Sequence, residues 1–255
     1  MPIPTLPPEW DARLGRALRD ALARLPSGPP KVLLFSGGVD SGLLAWELRT
    51  EARLTLVTVG LQGCADLAAG ELAARELGLS WEPKTFRDVD ALEMDRTIAP
   101  ETRGLPPTAR SVDVAFALAV RYAPPGLLLC GQGADELFLG YAHFHGLSEQ
   151  AAGQRAVEDL GYLLREAWPR AQRIATTLGR EVVAPYLDPE FRSVAESIPL
   201  PERLAGPEPK GAFRAFARRQ GLPEPIASRP KKALQYGTGV DRLLRRSRAR
   251  APESV

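Results

Sequence analysis

The chain has 255 residues, 44% of them hydrophobic, enough to bury a sizeable core and falling between one large α/β domain and two small ones. Its 33 basic and 31 acidic residues leave a net charge of +2, too even a balance to suggest a dedicated nucleic-acid or membrane binder. Two cysteines, Cys64 and Cys130, stand far apart and in no CxxC pair, which argues against a disulfide scaffold, a zinc ribbon or an iron–sulfur centre.

The opening MPIPTLPPEW lacks an apolar h-region, and no run of about 18 apolar residues follows, so neither export nor a membrane span is expected and a reducing cytoplasm is the default compartment. No asparagine occurs, and proline is abundant in loop-like stretches; this points to a thermophile, although GC-rich coding produces the same pattern. Residues 9–25 place Trp10, Leu14, Leu18, Leu22 and Leu25 on one helical face with charges opposite, the pattern of a docking helix. After the turn-forming PSGPP, the wholly apolar 32–35 reads as a buried strand, and a helix follows from near Asp40. A second strand is expected at 54–59 and a helix at 66–77. The stretch 81–110 carries Pro83, Pro100, Pro106 and Pro107 and is expected to be an irregular loop over one sheet edge. A helix capped by Ser111 runs to the Pro124-Pro125 pair, and 127–130 is a third buried strand. From about 148 the pattern is helical, and the arginine-rich 242–250 reads as the solvated end of a helix.

Alternating strands and helices predict an α/β fold, a parallel sheet with flanking helices and a helical C-terminal part. The expected organisation is one unit over 1–255: a docking helix in 1–30, a nucleotide-binding core in 31–146, and a mainly helical 147–255 that completes the site.

Between the first strand and its helix lies SGGVDS. Glycines let the backbone approach an anion, and the first turn of the helix offers N–H groups and the positive end of its dipole. No Walker lysine is present, and Asp40 beside a polyphosphate requires a cation between them. Mg²⁺ binds through one or two carboxylates plus phosphate oxygens, so a second carboxylate is expected. CGQGADELFLGY (130–141) repeats the logic of strand, glycines and carboxylate, and Asp135 is the natural partner. Strand ends in an open sheet face one crevice, so the two turns should meet. His143 and His145, two residues apart, would point to different helix faces and do not suggest a metal pair. Cys130, Tyr141 and Phe144 read as packing residues.

SGGVDS resembles the PP-loop of the N-type ATP pyrophosphatases, and GQGADELFLGY is similar to their asparagine-synthetase branch. VGLQGCADLAAGELAARELG (59–78), VAPYLDPEF (183–191), Lys210 with Arg214, and SRPKKALQYGTG (228–239) extend the resemblance over about 31–240. It implies an adenine nucleotide alpha hydrolase-like, Rossmann-like fold acting on ATP with Mg²⁺. By this resemblance Ser36, Gly37, Gly38, Asp40 and Ser41 hold the phosphates, and Asp40 and Asp135 share the metal. The backbones of Leu34, Val59 and Cys130, with Gly131 beside them, line the adenine. Lys231, or Lys232 if the register differs by one, meets the phosphate and the charge developing on an adenylate, and Arg110 is a candidate for the substrate carboxylate.

The implied chemistry is that of an ATP-dependent, AMP-forming amide ligase of amino-acid biosynthesis. It adenylates a carboxylate, aspartate or a similar acid, for attack by ammonia or another amine. Two departures stand out. The chain begins Met1-Pro2, without the nucleophilic cysteine and glutaminase domain of glutamine-dependent members, so nitrogen is expected as free ammonia or from a separate amidotransferase subunit. Gln132 stands where typical synthetases carry Glu or Asp, and a glutamine hydrogen-bonds but takes no proton. The alternatives are a PP-loop ATPase that adenylates another substrate such as a tRNA base, disfavoured by the weak charge and the absent CxxC pair, and a catalytically retired ATP-binding homologue that regulates a partner.

Overall fold

A computed structural model describes residues 7–144, 146–206, 208–230 and 232–250. Helix α1 (Pro8–Ala23) precedes β1 (Lys31–Leu34), α2 (Val39–Glu47), β2 (Leu54–Leu61), α3 (Ala65–Leu77) and β3 (Trp81–Phe86). The chain continues through α4 (Asp88–Thr97), α5 (Pro107–Tyr122), β4 (Leu127–Leu129) and the single turn α6 (Ala134–Leu137). Next come α7 (Glu149–Tyr162), α8 (Trp168–Thr177), β5 (Val182–Val183), α9 (Pro189–Ser197) and α10 (Leu200–Arg203). The last elements are α11 (Gly211–Arg219), α12 (Glu224–Ala227), α13 (Leu234–Gly237) and α14 (Val240–Arg250).

The strands form one parallel sheet in the order β3-β2-β1-β4-β5. Side chains alternate between its faces as the period of two requires. Leu33, Phe35, Leu56 and Leu129 join one core with α1, α2, α9 and α11. Val32, Val57, Val59, Leu128 and Cys130 join the other with α4, α5, α8 and α14. Both faces are therefore covered, which is why these strands read as continuous apolar runs. The chain builds outward from β1 through β2 to β3, then returns to place β4 on the other side of β1. The reversal makes β1/β4 the switch point, where the crevice of such a sheet opens at the strands' carboxyl ends.

The stretch 81–110 is not an irregular loop: it contains β3, α4 and the start of α5. Pro83 obscured β3, yet the strand lies at the sheet edge and Pro83 sits opposite Thr58, where a residue without an N–H is tolerated. The first turn of α4 is held by Asp90 Oδ2, which accepts from the Arg87 backbone N–H at 2.7 Å. Helix α5 begins one turn before Ser111, because Pro106 and Pro107 start it with the fixed φ suited to a first turn. Ser111 is no cap; its hydroxyl donates to Thr108 O at 2.8 Å. In the helical second half β5 supplies a fifth strand too short to leave a periodic signal.

Helix α1 packs its apolar side into the core: Leu14 and Leu18 are fully buried, and Arg219 closes on Asp11 from across the chain. Val240, Leu243 and Leu244 bury one side of α14 and leave Arg242, Arg245, Arg246 and Arg248 in solvent. A buried ion pair, Arg170 Nε to Asp113 Oδ2 at 2.7 Å, ties α8 to α5. Among the described residues no helix is long and apolar enough to cross a membrane.

Candidate active site

The turn after β1 passes close beneath α3. Gly37 has φ +71°, and a Cβ there would lie 2.5 Å from the Ala69 carbonyl oxygen, so only glycine fits. Helix α2 begins behind the extended Gly38, and its first-turn N–H groups have no partners within the helix. Two hydroxyls hold the turn open: Ser41 Oγ accepts from the Ser36 N–H at 3.2 Å, and Ser36 Oγ from the Gly38 N–H at 3.4 Å. Arg229 braces it from the C-terminal segment, donating to Ser36 O and, at 3.2 Å, to Asp66 Oδ1. Asp66 is buried, and burial raises its carboxyl pKa against the pull of Arg229.

The turn after β4 meets the first one directly. A Cβ on Gly131 would touch Asp40 Cβ at 3.0 Å, so the absence of a side chain lets the turns approach. Tyr186, fully buried, donates from its hydroxyl to Asp40 O at 2.7 Å and fixes the start of α2. Between the turns Lys210 reaches in with φ 60° at the foot of α11. Its Nζ lies 2.6 Å from both Asp40 carboxylate oxygens and 2.8 Å from Asp135 Oδ1. Lys210 is 3% exposed; burial favours the neutral amine, but the two carboxylates outweigh it and hold the ammonium above its ordinary pKa.

The expected pairing of Asp40 with Asp135 is thus present geometrically, with a lysine ammonium at their meeting point. The Lys210 ammonium takes the meeting point itself, so a Mg²⁺ held by the hard carboxylate oxygens of Asp40 and Asp135, both of which line the cleft, would bind them from the cleft side. No group of three or more His, Cys, Asp or Glu able to hold a metal occurs among the described residues, so a divalent ion would take its other ligands from phosphate oxygens and water, its usual mode.

A cleft of about 350 Å³ opens over this cluster. Ser36, Gly38, Asp40 and Ser41 line it from the first turn, and Gly131, Gln132 and Asp135 from the second; Gly37 is not part of the lining. Leu34, Val59 and Cys130 line its apolar end. Burial pushes the Cys130 thiol up to about 12, consistent with a packing residue. Arg110 is not brought in: its Nε pairs with Asp95 Oδ1 at 2.5 Å. Lys231 and His145 lie outside the described residues, Lys232 lines the cleft, and His143 pairs with Asp159 at 2.7 Å.

Other functional candidates were missed. Lys210 carried a motif match but no role, because nothing local in the sequence shows that it spans both turns. Tyr141 is more than packing: it lines the cleft and its hydroxyl donates to Glu136 Oε1 at 2.5 Å. Burial, with help from Asp135, raises the Glu136 carboxyl to about 7, and its Oε2 has no hydrogen-bond partner among the described residues.

A family profile described as Asparagine synthase matches residues 13–155 and 147–254. The chain is 28% identical to a putative asparagine synthetase [glutamine-hydrolyzing] 1 of Methanocaldococcus jannaschii, over 91% of this chain and 50% of that protein. It is 30% identical to the asparagine synthetase [glutamine-hydrolyzing] of Brassica oleracea, over 94% of this chain and 44% of that one. The chain thus spans about half the length of the curated relatives it matches. Among solved structures, NMN synthetase from Francisella tularensis aligns over 89% of this chain and 76% of its own, with TM-score 0.44 and 13% identity.

Proposed function

The chain belongs to the asparagine synthase family, and from that premise we propose that it is an ATP-dependent carbon–nitrogen ligase that forms AMP and pyrophosphate. A substrate carboxylate attacks the α-phosphorus of ATP to give an acyl-adenylate and pyrophosphate. Ammonia or another amine, free or delivered by an amidotransferase subunit, then attacks the acyl carbon and expels AMP. The observation that carries this reading is the meeting of the two strand-end turns around one cation position, Asp40 and Asp135 facing each other across Lys210 Nζ.

In this mechanism the backbone N–H groups of 37–41 and the hydroxyls of Ser36 and Ser41 hold the phosphates. Asp40 and Asp135 would hold Mg²⁺ on their cleft side, and its charge would offset that of the departing pyrophosphate. Lys210 and Lys231 supply fixed positive charge as negative charge grows on the phosphate oxygens, the form of stabilisation such a reaction most needs. Gln132 orients the incoming amine by hydrogen bonding. Aspartate or a similar carboxylate is the proposed acid.

Gln132 also favours a second reading, an ATP-binding homologue without turnover, because a glutamine cannot accept the amine's proton. Positional isotope exchange in ATP, run with one candidate acid at a time and no amine, separates the two. Exchange that depends on one acid establishes the ligase and identifies its substrate; none across a broad panel, with ATP binding measured, establishes the binding homologue. ADP and phosphate as main products would overturn both the bond assignment and the class.

A further inference from the structure

Away from Asp40 the cleft wall turns apolar. Leu34, Val59, Cys130, Phe116 and Leu234 line it and pack in one cluster on that face of the sheet. Set into this wall is a primary amide. Gln235 lines the cleft, is 4% exposed, and its Oε1 is buried without a hydrogen-bond partner among the described residues. Its place is well defined: α13 packs against α5, and Thr238, one turn on, accepts at its carbonyl from the Leu61 N–H at 3.0 Å, just beyond Val59.

The neighbouring hydroxyls are engaged. Thr58 Oγ1 donates to Phe35 O at 2.6 Å and accepts from Trp81 Nε1 at 2.9 Å, and Thr238 Oγ1 donates to Leu234 O at 2.8 Å. An unmade buried acceptor is destabilising, and such a group in a folded protein calls for an explanation. A ligand that supplies the missing donor is one, and Gln235 shares the cleft lining with the apolar Leu34, Val59 and Cys130.

We propose that Gln235 reads the adenine edge of the nucleotide, its amide accepting a hydrogen bond from the exocyclic 6-amino group and donating to the ring nitrogen beside it. A primary amide carries an acceptor and a donor side by side, the complement of the amino group and ring nitrogen of adenine. The apolar wall excludes competing water, so the contact discriminates. This assignment rests on the nucleotide reading above and names the side chain that selects the base.

The test compares binding of Mg·ATP and of purine riboside 5′-triphosphate, which lacks the 6-amino group, by calorimetry on the full chain. The wild-type protein is expected to prefer ATP by about tenfold, the worth of one hydrogen bond to a buried polar group. Gln235→Met is expected to remove that preference while binding the purine analogue within about threefold of wild type. Gln235→Ala gives the same comparison should methionine not be accommodated. A variant that keeps the wild-type preference, or one that loses both nucleotides equally, overturns the assignment. Failure of the wild-type protein to bind either nucleotide overturns the nucleotide reading itself and is seen before any variant is made.

Discussion

Lys210 Nζ sits 2.6 Å from both oxygens of Asp40, a bidentate contact between a residue of the first glycine turn and one 170 positions later. The same ammonium lies 2.8 Å from Asp135, so one side chain draws together the turns after β1 and β4. Lys210→Met removes that charge and leaves the carboxylates closer to mutual repulsion. Losing one partner of a buried ion pair costs about 3–5 kcal/mol, so the unfolding midpoint should fall. Added Mg²⁺ should restore part of the loss in the variant and little in the wild type. A variant midpoint indifferent to Mg²⁺ would mean that these carboxylates do not make a cation site.

Asp40→Asn and Asp135→Asn are each predicted to lower Mg²⁺-dependent pyrophosphate release by at least about 10² to 10³, the typical effect of removing one group that stabilises developing charge. Circular dichroism should remain that of the wild type, since Tyr186 holds the Asp40 backbone oxygen rather than its carboxylate. Near wild-type turnover in either variant would refute the shared-metal role.

Gly37→Ala tests the first turn. A left-handed φ costs a residue with a Cβ about 1–2 kcal/mol, and the new methyl meets the Ala69 carbonyl of α3 at 2.5 Å. Stability should drop by at least that amount and ATP binding should weaken with it. A variant that binds ATP like the wild type would show that the turn does not cradle phosphate.

Gln132→Glu tests how the amine is handled. With glutamine, the amine arrives deprotonated or loses its proton to water, so ammonia-dependent activity should climb with pH towards the ammonium pKa. A glutamate at 132 supplies a base and should make that climb shallower. Identical pH profiles for the two proteins would remove Gln132 from the amine step.

The Asp113–Arg170 pair lies away from the cleft and tests the fold. Both side chains are 8% exposed at a 2.7 Å contact. Asp113→Ala should cost about 3–5 kcal/mol by leaving the guanidinium buried without this partner, and replacing both residues with apolar ones should recover much of it. If the double variant is as unstable as the single one in urea melts, the pair is not an independent unit.

Local chemistry settled what the sequence could state unaided. Apolar runs bounded by turn residues marked β1, β2 and β4, because a strand covered on both faces must be apolar throughout. Two glycine turns with Asp40 and Asp135 marked the candidate site, since an anion at a helix N-terminus and a carboxylate beside it would constrain residue types over a few positions. Strand β3 and helix α4 stayed hidden because an edge strand tolerates Pro83 and needs little apolar character, a permission granted by its place in the sheet. The convergence of Lys210 and Arg229 on the first turn, 170 and 193 positions earlier, and the placing of Gln235 in the same cleft left no local trace. Their positions follow from how α11 and α13 pack, and burial and charge at a site depend on which distant groups share its space. That is a property of the tertiary structure alone.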